Sequence, residues 1–136
     1  MRFRIVAFVA IVGAALALPA RSFAHHSVQA QFDVSKQFSI SGTVARVEFV
    51  NPHSYLTINV KGDDGKIVKW AFEMTGLGGL RRAGLSRADR GGLKPGDQIT
   101  VTALAARDGS NSGLAQVIKM ADGRVFKLTA DAPDVQ

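Results

Sequence analysis

Three histidines carry most of the chemistry this chain can offer: His25, His26 and His53. The sequence has no cysteine, which removes thiolate ligands, disulfides and a lipid-anchoring thiol together. His25 and His26 directly follow a stretch that reads as an export signal. Arg2 and Arg4 form a basic start, residues 5–18 form an apolar run, and Pro19 breaks it. Ser22 and Ala24 then place small residues at the two positions a signal peptidase inspects. Cleavage after Ala24 makes His25 the first residue of the mature chain. Its free amine and its ring Nδ1 then chelate one metal ion, His26 adds a second ring and His53 a remote one. Nitrogen donors without sulfur suit Cu(II), Zn(II) or Ni(II), and the affinity order favours copper. Met74 and Met120 are further thioether candidates for Cu(I), although core packing is the commoner use of a strand methionine.

A second set of residues supports a different function. Tyr55, Thr57 and Asn59 alternate along one strand and share a face, with Asn51 at its start and Trp70 on the next strand. Such a face takes a small extended ligand or a protein partner without any metal. In that case His53 is structural and holds its turn through a hydrogen bond, as Asn51 can through its own side chain. Both alternatives stay open on the sequence.

Enzymatic constellations are missing. No Ser-His-Asp spacing, phosphate loop or nucleotide fingerprint occurs, and the short Asp-Gly segments lack the length of a calcium loop. The chain is therefore expected not to be an enzyme. The net charge of +6 includes Arg2, Arg4 and Arg21 of the leader; the mature chain carries 14 basic against 11 acidic side chains. Such a mild, scattered excess does not indicate nucleic acid. Arg81, Arg82, Arg87 and Arg90 read as a solvated face rather than a binding patch. The apolar run at 5–18 is short against the roughly 20 residues a bilayer requires, so a periplasmic or secreted protein without a membrane anchor is expected.

The elements that position these residues are mostly strands. Residues 38–50 form a first strand whose apolar alternation slips: Phe38, Ile40 and Val44 fall in one phase, Val47 and Phe49 in the other. A bulge near Ala45-Arg46 restores the phase. Asn51-Pro52 ends the strand because proline cannot donate to a ladder. Residues 54–60 alternate cleanly, Gly62-Asp63-Asp64-Gly65 is a hairpin turn, and residues 67–74 form a third strand with Val68, Trp70, Phe72 and Met74 on one face. A glycine- and arginine-rich connector at 75–92 holds one or two short helical pieces, since each interior glycine costs a helix about 1 kcal/mol. Leu93-Lys94-Pro95-Gly96-Asp97 turns into a fourth strand at 98–106, and strands at 114–120 and 124–128 complete the order. Three strands, a helical connector and two or three more strands predict an all-β fold: a small five- to six-stranded OB-like Greek-key barrel. The expected partition is a signal peptide at 1–24, a lead-in at 25–37 with a turn at Asp33-Val34-Ser35-Lys36, the barrel at 38–128 and a loose tail at 129–136.

These segments also carry a resemblance. Ala24-His25-His26-Ser27, Phe32-Asp33, Gly42-Thr43-Val44, Asn51-Pro52-His53, Trp70-Ala71-Phe72-Glu73, Leu80-Arg81-Arg82, Leu93-Lys94-Pro95-Gly96-Asp97 and Arg107-Asp108-Gly109-Ser110 are similar to motifs of a family of short exported bacterial proteins known as a domain of unknown function. The one departure is Gly84-Leu85, where the family pattern has Gly-Trp. The resemblance implies export and a small β domain, and implies no activity.

Overall fold

The computed structural model describes residues 28–85 and 92–134. A short helix α1 (Val28–Gln31) leads into β1 (Phe32–Glu48), followed by β2 (His53–Lys61) and β3 (Ile67–Thr75). Helix α2 (Leu77–Arg82) connects to β4 (Gln98–Ala106), β5 (Ser112–Met120) and the short β6 (Val125–Lys127). The all-β reading holds, with one six-stranded sheet in the order β3-β2-β1-β4-β5-β6. A parallel pairing of β3 with β5, matching Ala71 to Ser112 and Glu73 to Leu114, joins the two ends of the five-strand run into a ring. Ring closure removes most of the open edge that a flat sheet would leave for aggregation.

The bulge expected near Ala45 is present. The β1–β2 register shifts between Val44 and Arg46, so Ala45 is the extra residue. Val44 itself pairs with the turn before β4: its N–H donates to Asp97 O at 2.8 Å and its carbonyl accepts from Gly96 N at 2.8 Å. Gly96 makes that turn with φ of +93°, a conformation that costs an L side chain about 1–2 kcal/mol. β4 has the bounds that the sequence suggests.

β1 does not. It begins at Phe32 rather than Phe38, and the segment assigned to a lead-in pairs with β4 from Phe32↔Ala106 onward. Asp33-Val34-Ser35-Lys36 is not a connecting turn but sits where the β1–β4 register shifts, between Asp33 and Gln37. The Ser35 hydroxyl donates to Asp33 Oδ1 at 2.7 Å and the Ser35 N–H at 3.1 Å, which holds the bulge. Phe32 is buried and anchors the front of the strand. The tail also has contacts: Ala132 N donates to Thr129 O, and the Lys127 ammonium pairs with Asp134.

The core lies inside the ring. Val44, Leu56, Ile58, Phe72, Met74, Val101 and Ile118 are all at most 1% exposed, and Phe126 of β6 covers one end of the cluster. Leu85 follows Gly84, whose φ is +81°, and buries its side chain in the same cluster. Of the connector arginines, Arg81 and Arg82 are exposed on α2, as a solvated face requires, while Arg87 and Arg90 lie outside the described residues.

Candidate functional site

His53 opens β2 at one end of the ring. The turn before it is built by Ser54, fully buried, whose Oγ donates to Val50 O at 3.0 Å and accepts from Val50 N at 3.3 Å. Asn51-Pro52 is a cis peptide. The Asn51 side chain serves the neighbouring element, since its Oδ1 accepts the Leu77 N–H of α2 at 3.0 Å. It thereby satisfies one of the free N–H groups at the start of that helix, a capping role. Gly76 lies against the same turn so closely that a Cβ there would stand 2.4 Å from Pro52 O. Pro52 and Asn51 are therefore wedged between β3 and α2, and His53 projects from a rigid corner.

Alternation along β2 sorts the candidate residues by face. Ser54, Leu56 and Ile58 are fully buried, which places His53, Tyr55, Thr57 and Asn59 on the outward side. Directly paired residues share a face. Glu73 is opposite Tyr55 and so faces outward, whereas Trp70 is opposite Ile58 and faces the interior. There Trp70 stacks on Phe72, with centroids 6.2 Å apart and planes at 15°, and meets Phe38 at 5.3 Å. Trp70 is thus separated by the sheet from Tyr55, Thr57 and Asn59, and the five residues of the metal-free set are not one surface. Met74 and Met120 are buried in the core cluster, so neither is presented as a thioether ligand.

The sequence did not mark Glu73 as part of the site. Its Oε1 lies 2.7 Å from His53 Nδ1, an ion pair when the imidazole is protonated, with the imidazole 47% and the carboxylate 20% exposed. The two residues are diagonal neighbours across the β2–β3 ladder, because Thr75 is the one opposite His53. Only the strand register brings them together.

Glu73 also lines a cavity of about 430 Å³ together with Ala30 and Gln31 of α1 and Arg107, Asp108 and Ser112 of the β4–β5 loop. Arg107 fastens α1 there: its Nε donates to Gln29 O at 2.7 Å and its backbone N–H to Gln31 O at 2.9 Å. Asp108 is an anionic wall, since hydrogen bonds from the Ser110 hydroxyl and N–H hold its carboxyl below the ordinary value of 3.8. The front of the described chain is therefore docked beside the partner of His53. His25 and His26 lie outside the described residues, and among the described residues no three His, Asp or Glu side chains form a metal-binding group.

Comparison with protein families places residues 14–116 in a family of unknown function, DUF6152. The chain belongs to that family. The matched range takes in His25, His26, His53, Glu73 and Arg107. A comparison with curated proteins gives no significant match.

Proposed function

We propose that the chain is an exported metal-binding protein, without catalytic activity, that holds a transition metal ion through His25, His26 and His53. Copper is the metal favoured by an all-nitrogen donor set. Processing after Ala24 supplies the terminal amine as a further donor and delivers the protein to the periplasm or the exterior. The observation that supports the proposal is the docking of α1 beside Glu73, whose carboxylate lies 2.7 Å from His53 Nδ1. Val28, which opens α1, follows His26 by two positions in the sequence. None of the described helices is long and apolar enough to cross a membrane, and on this reading the mature protein carries no anchor. The test is a Cu(II) titration of protein beginning at His25, followed by absorbance and heat. His53→Ala is expected to weaken binding at least tenfold, about 1.4 kcal/mol; an unchanged affinity removes His53 from the site.

One observation favours a second reading, a metal-free binding module. Tyr55 is 46% exposed and stands between Glu48 and Glu73 in the row across β1, β2 and β3. With Thr57 and Asn59 it offers an aromatic ring and hydrogen-bonding groups to a small extended ligand or a protein partner. Under this reading Cu(II) leaves the protein unperturbed, and Tyr55→Ala abolishes capture of the partner.

A further inference from the structure

We propose that the open edge of β3 at residues 67–70 takes up an extended, acidic strand from a protein partner. β2 pairs with β3 along its whole length, from His53↔Thr75 to Lys61↔Ile67. On the other side β5 pairs only with Ala71, Phe72 and Glu73, so residues 67–70 have no partner strand there among the described residues. The direction of the unused backbone groups follows from the hairpin. The Gly62 N–H donates to Lys66 O at 2.9 Å, which makes that pair a bonded one, and bonded and non-bonded pairs alternate along an antiparallel ladder. Val68 and Trp70 therefore bond to β2, whereas Ile67 and Lys69 turn their N–H and C=O away from it. Ala71, in the same phase as Lys69, agrees: its N–H donates to Asn111 O at 3.0 Å on that outer side. Ile67 and Lys69 thus each hold out a donor and an acceptor to an added strand, the means by which sheet edges capture extended peptides.

The side chains at this edge decide what the strand must carry. Val68 is opposite Val60 and in phase with Trp70, so it belongs to the inner face, yet it is 40% exposed. The ring is not closed beside it, and Val60 and Trp70 are themselves only partly buried. An added strand brings an apolar side chain against Val68 and Trp70 at this point. On the outer face stand Ile67, 58% exposed, and the exposed Lys69 and Lys61, the latter opposite Ile67. Neither lysine has an ion-pair partner among the described residues. Asp64 of the hairpin turn is engaged by Lys66 at 3.1 Å, and Asp63 lies in the turn beyond the strand end. Edge lysines discourage pairing with a second copy, because joining two such edges brings the Lys69 ammonium of each onto one face, where like charges oppose association. The same lysines favour a strand whose outward residues are acidic and whose inward residues are apolar.

The test follows the backbone amides of the protein by nitrogen-15 NMR, with a capped peptide of alternating glutamate and valine as the probe. In the free protein the Ile67 and Lys69 amides should exchange with solvent much faster than those of Val68 and Trp70. Equal protection of all four would mean that the edge is already covered, by another segment or a second copy, and overturns the proposal. The glutamate peptide should shift and protect Ile67 and Lys69, while the same peptide with lysine in place of glutamate should leave them unmoved. Two variants separate backbone from charge. Lys69→Pro removes one outward N–H and leaves the β2–β3 bonds in place, so binding should vanish while circular dichroism still shows the folded sheet. Lys69→Glu keeps that N–H and should weaken the glutamate peptide at least tenfold while strengthening the lysine peptide; it decides the matter even if Lys69→Pro does not fold. No shift at millimolar glutamate peptide, shifts centred on another strand, or equal binding of the two peptides overturns the proposal.

Discussion

The corner that presents His53 makes a sharp test at Gly76. This residue has φ −68° and ψ 175°, a conformation open to any L residue, so replacing it by alanine meets no backbone strain. What it meets is atoms. The new Cβ would stand 2.4 Å from Pro52 O and 2.8 Å from Asn51 Oδ1, far inside contact distance. Relief requires moving the Asn51-Pro52 turn away from α2, which breaks the bond from Leu77 N to Asn51 Oδ1. Overpacking of this kind costs about 1–3 kcal/mol and a lost helix cap about 1 kcal/mol. Gly76→Ala should therefore destabilise the protein by about 2–4 kcal/mol, a fall in Tm of roughly 10–20 °C for a domain of this size. Thermal unfolding followed by circular dichroism reads the change. Gly78→Ala is the control: its added Cβ meets only the end of the Arg82 side chain at 3.6 Å, and alanine is the better helix former by about 1 kcal/mol, so Tm should hold or rise. If Gly76→Ala melts with the wild type, the tight corner is not as described and the fixed placement of His53 goes with it.

Other expectations rest on the same structure. Asn51→Ala, which removes only the cap on α2, should cost about 1 kcal/mol by chemical denaturation; a loss several times larger would mean that Asn51 does more than cap. Phe72→Ala should cost about 3–5 kcal/mol, because Phe72 is 1% exposed and packs between Phe38 and Trp70; indole fluorescence should report the change at Trp70. Acid should weaken the fold through its turns. Asp122, held by the Arg124 N–H and then by its side chain, and Asp108, held by Ser110, both have carboxyls lowered from the ordinary 3.8. A folded pKa below the unfolded one means the stabilisation is present above about pH 3.8 and is lost as pH falls through the folded value. Asp108→Asn should flatten the low-pH limb of a stability curve, and an unchanged limb would show that this turn does not contribute.

Much of the ring was legible because its signals are local. The phase slip between Val44 and Val47 announced a bulge, and the structure puts it at Ala45. Gly62-Asp63-Asp64-Gly65 announced a hairpin, made by Gly65 with φ +78° and the bond from Gly65 N to Gly62 O. What escaped the sequence depends on long-range register. Residues 33–36 are polar and carry no alternation, so the start of β1 was hidden in a strand whose partner, β4, lies some seventy positions away. The parallel contact of β3 with β5 has no local signature either. The site shows the same division. His53 stood out by its residue type, and the separation of Tyr55 from Trp70 onto opposite sheet faces emerged only once Ile58 was paired with Trp70. Glu73 could not be chosen over Glu48, because both flank the turn in sequence and only the β2–β3 ladder places one of them against the His53 ring.

The central claim is that a metal is bound through a histidine-led mature terminus and His53. Cu(II) titration of two proteins decides it most directly: one beginning at His25, the other carrying a single extra residue before it. The account predicts one tight Cu(II) per chain in the first, weakened at least tenfold, about 1.4 kcal/mol, in the second, since the added residue displaces the free amine from its ring. Equal binding by both proteins would contradict the role of the terminus, and no binding by either would contradict the metal altogether.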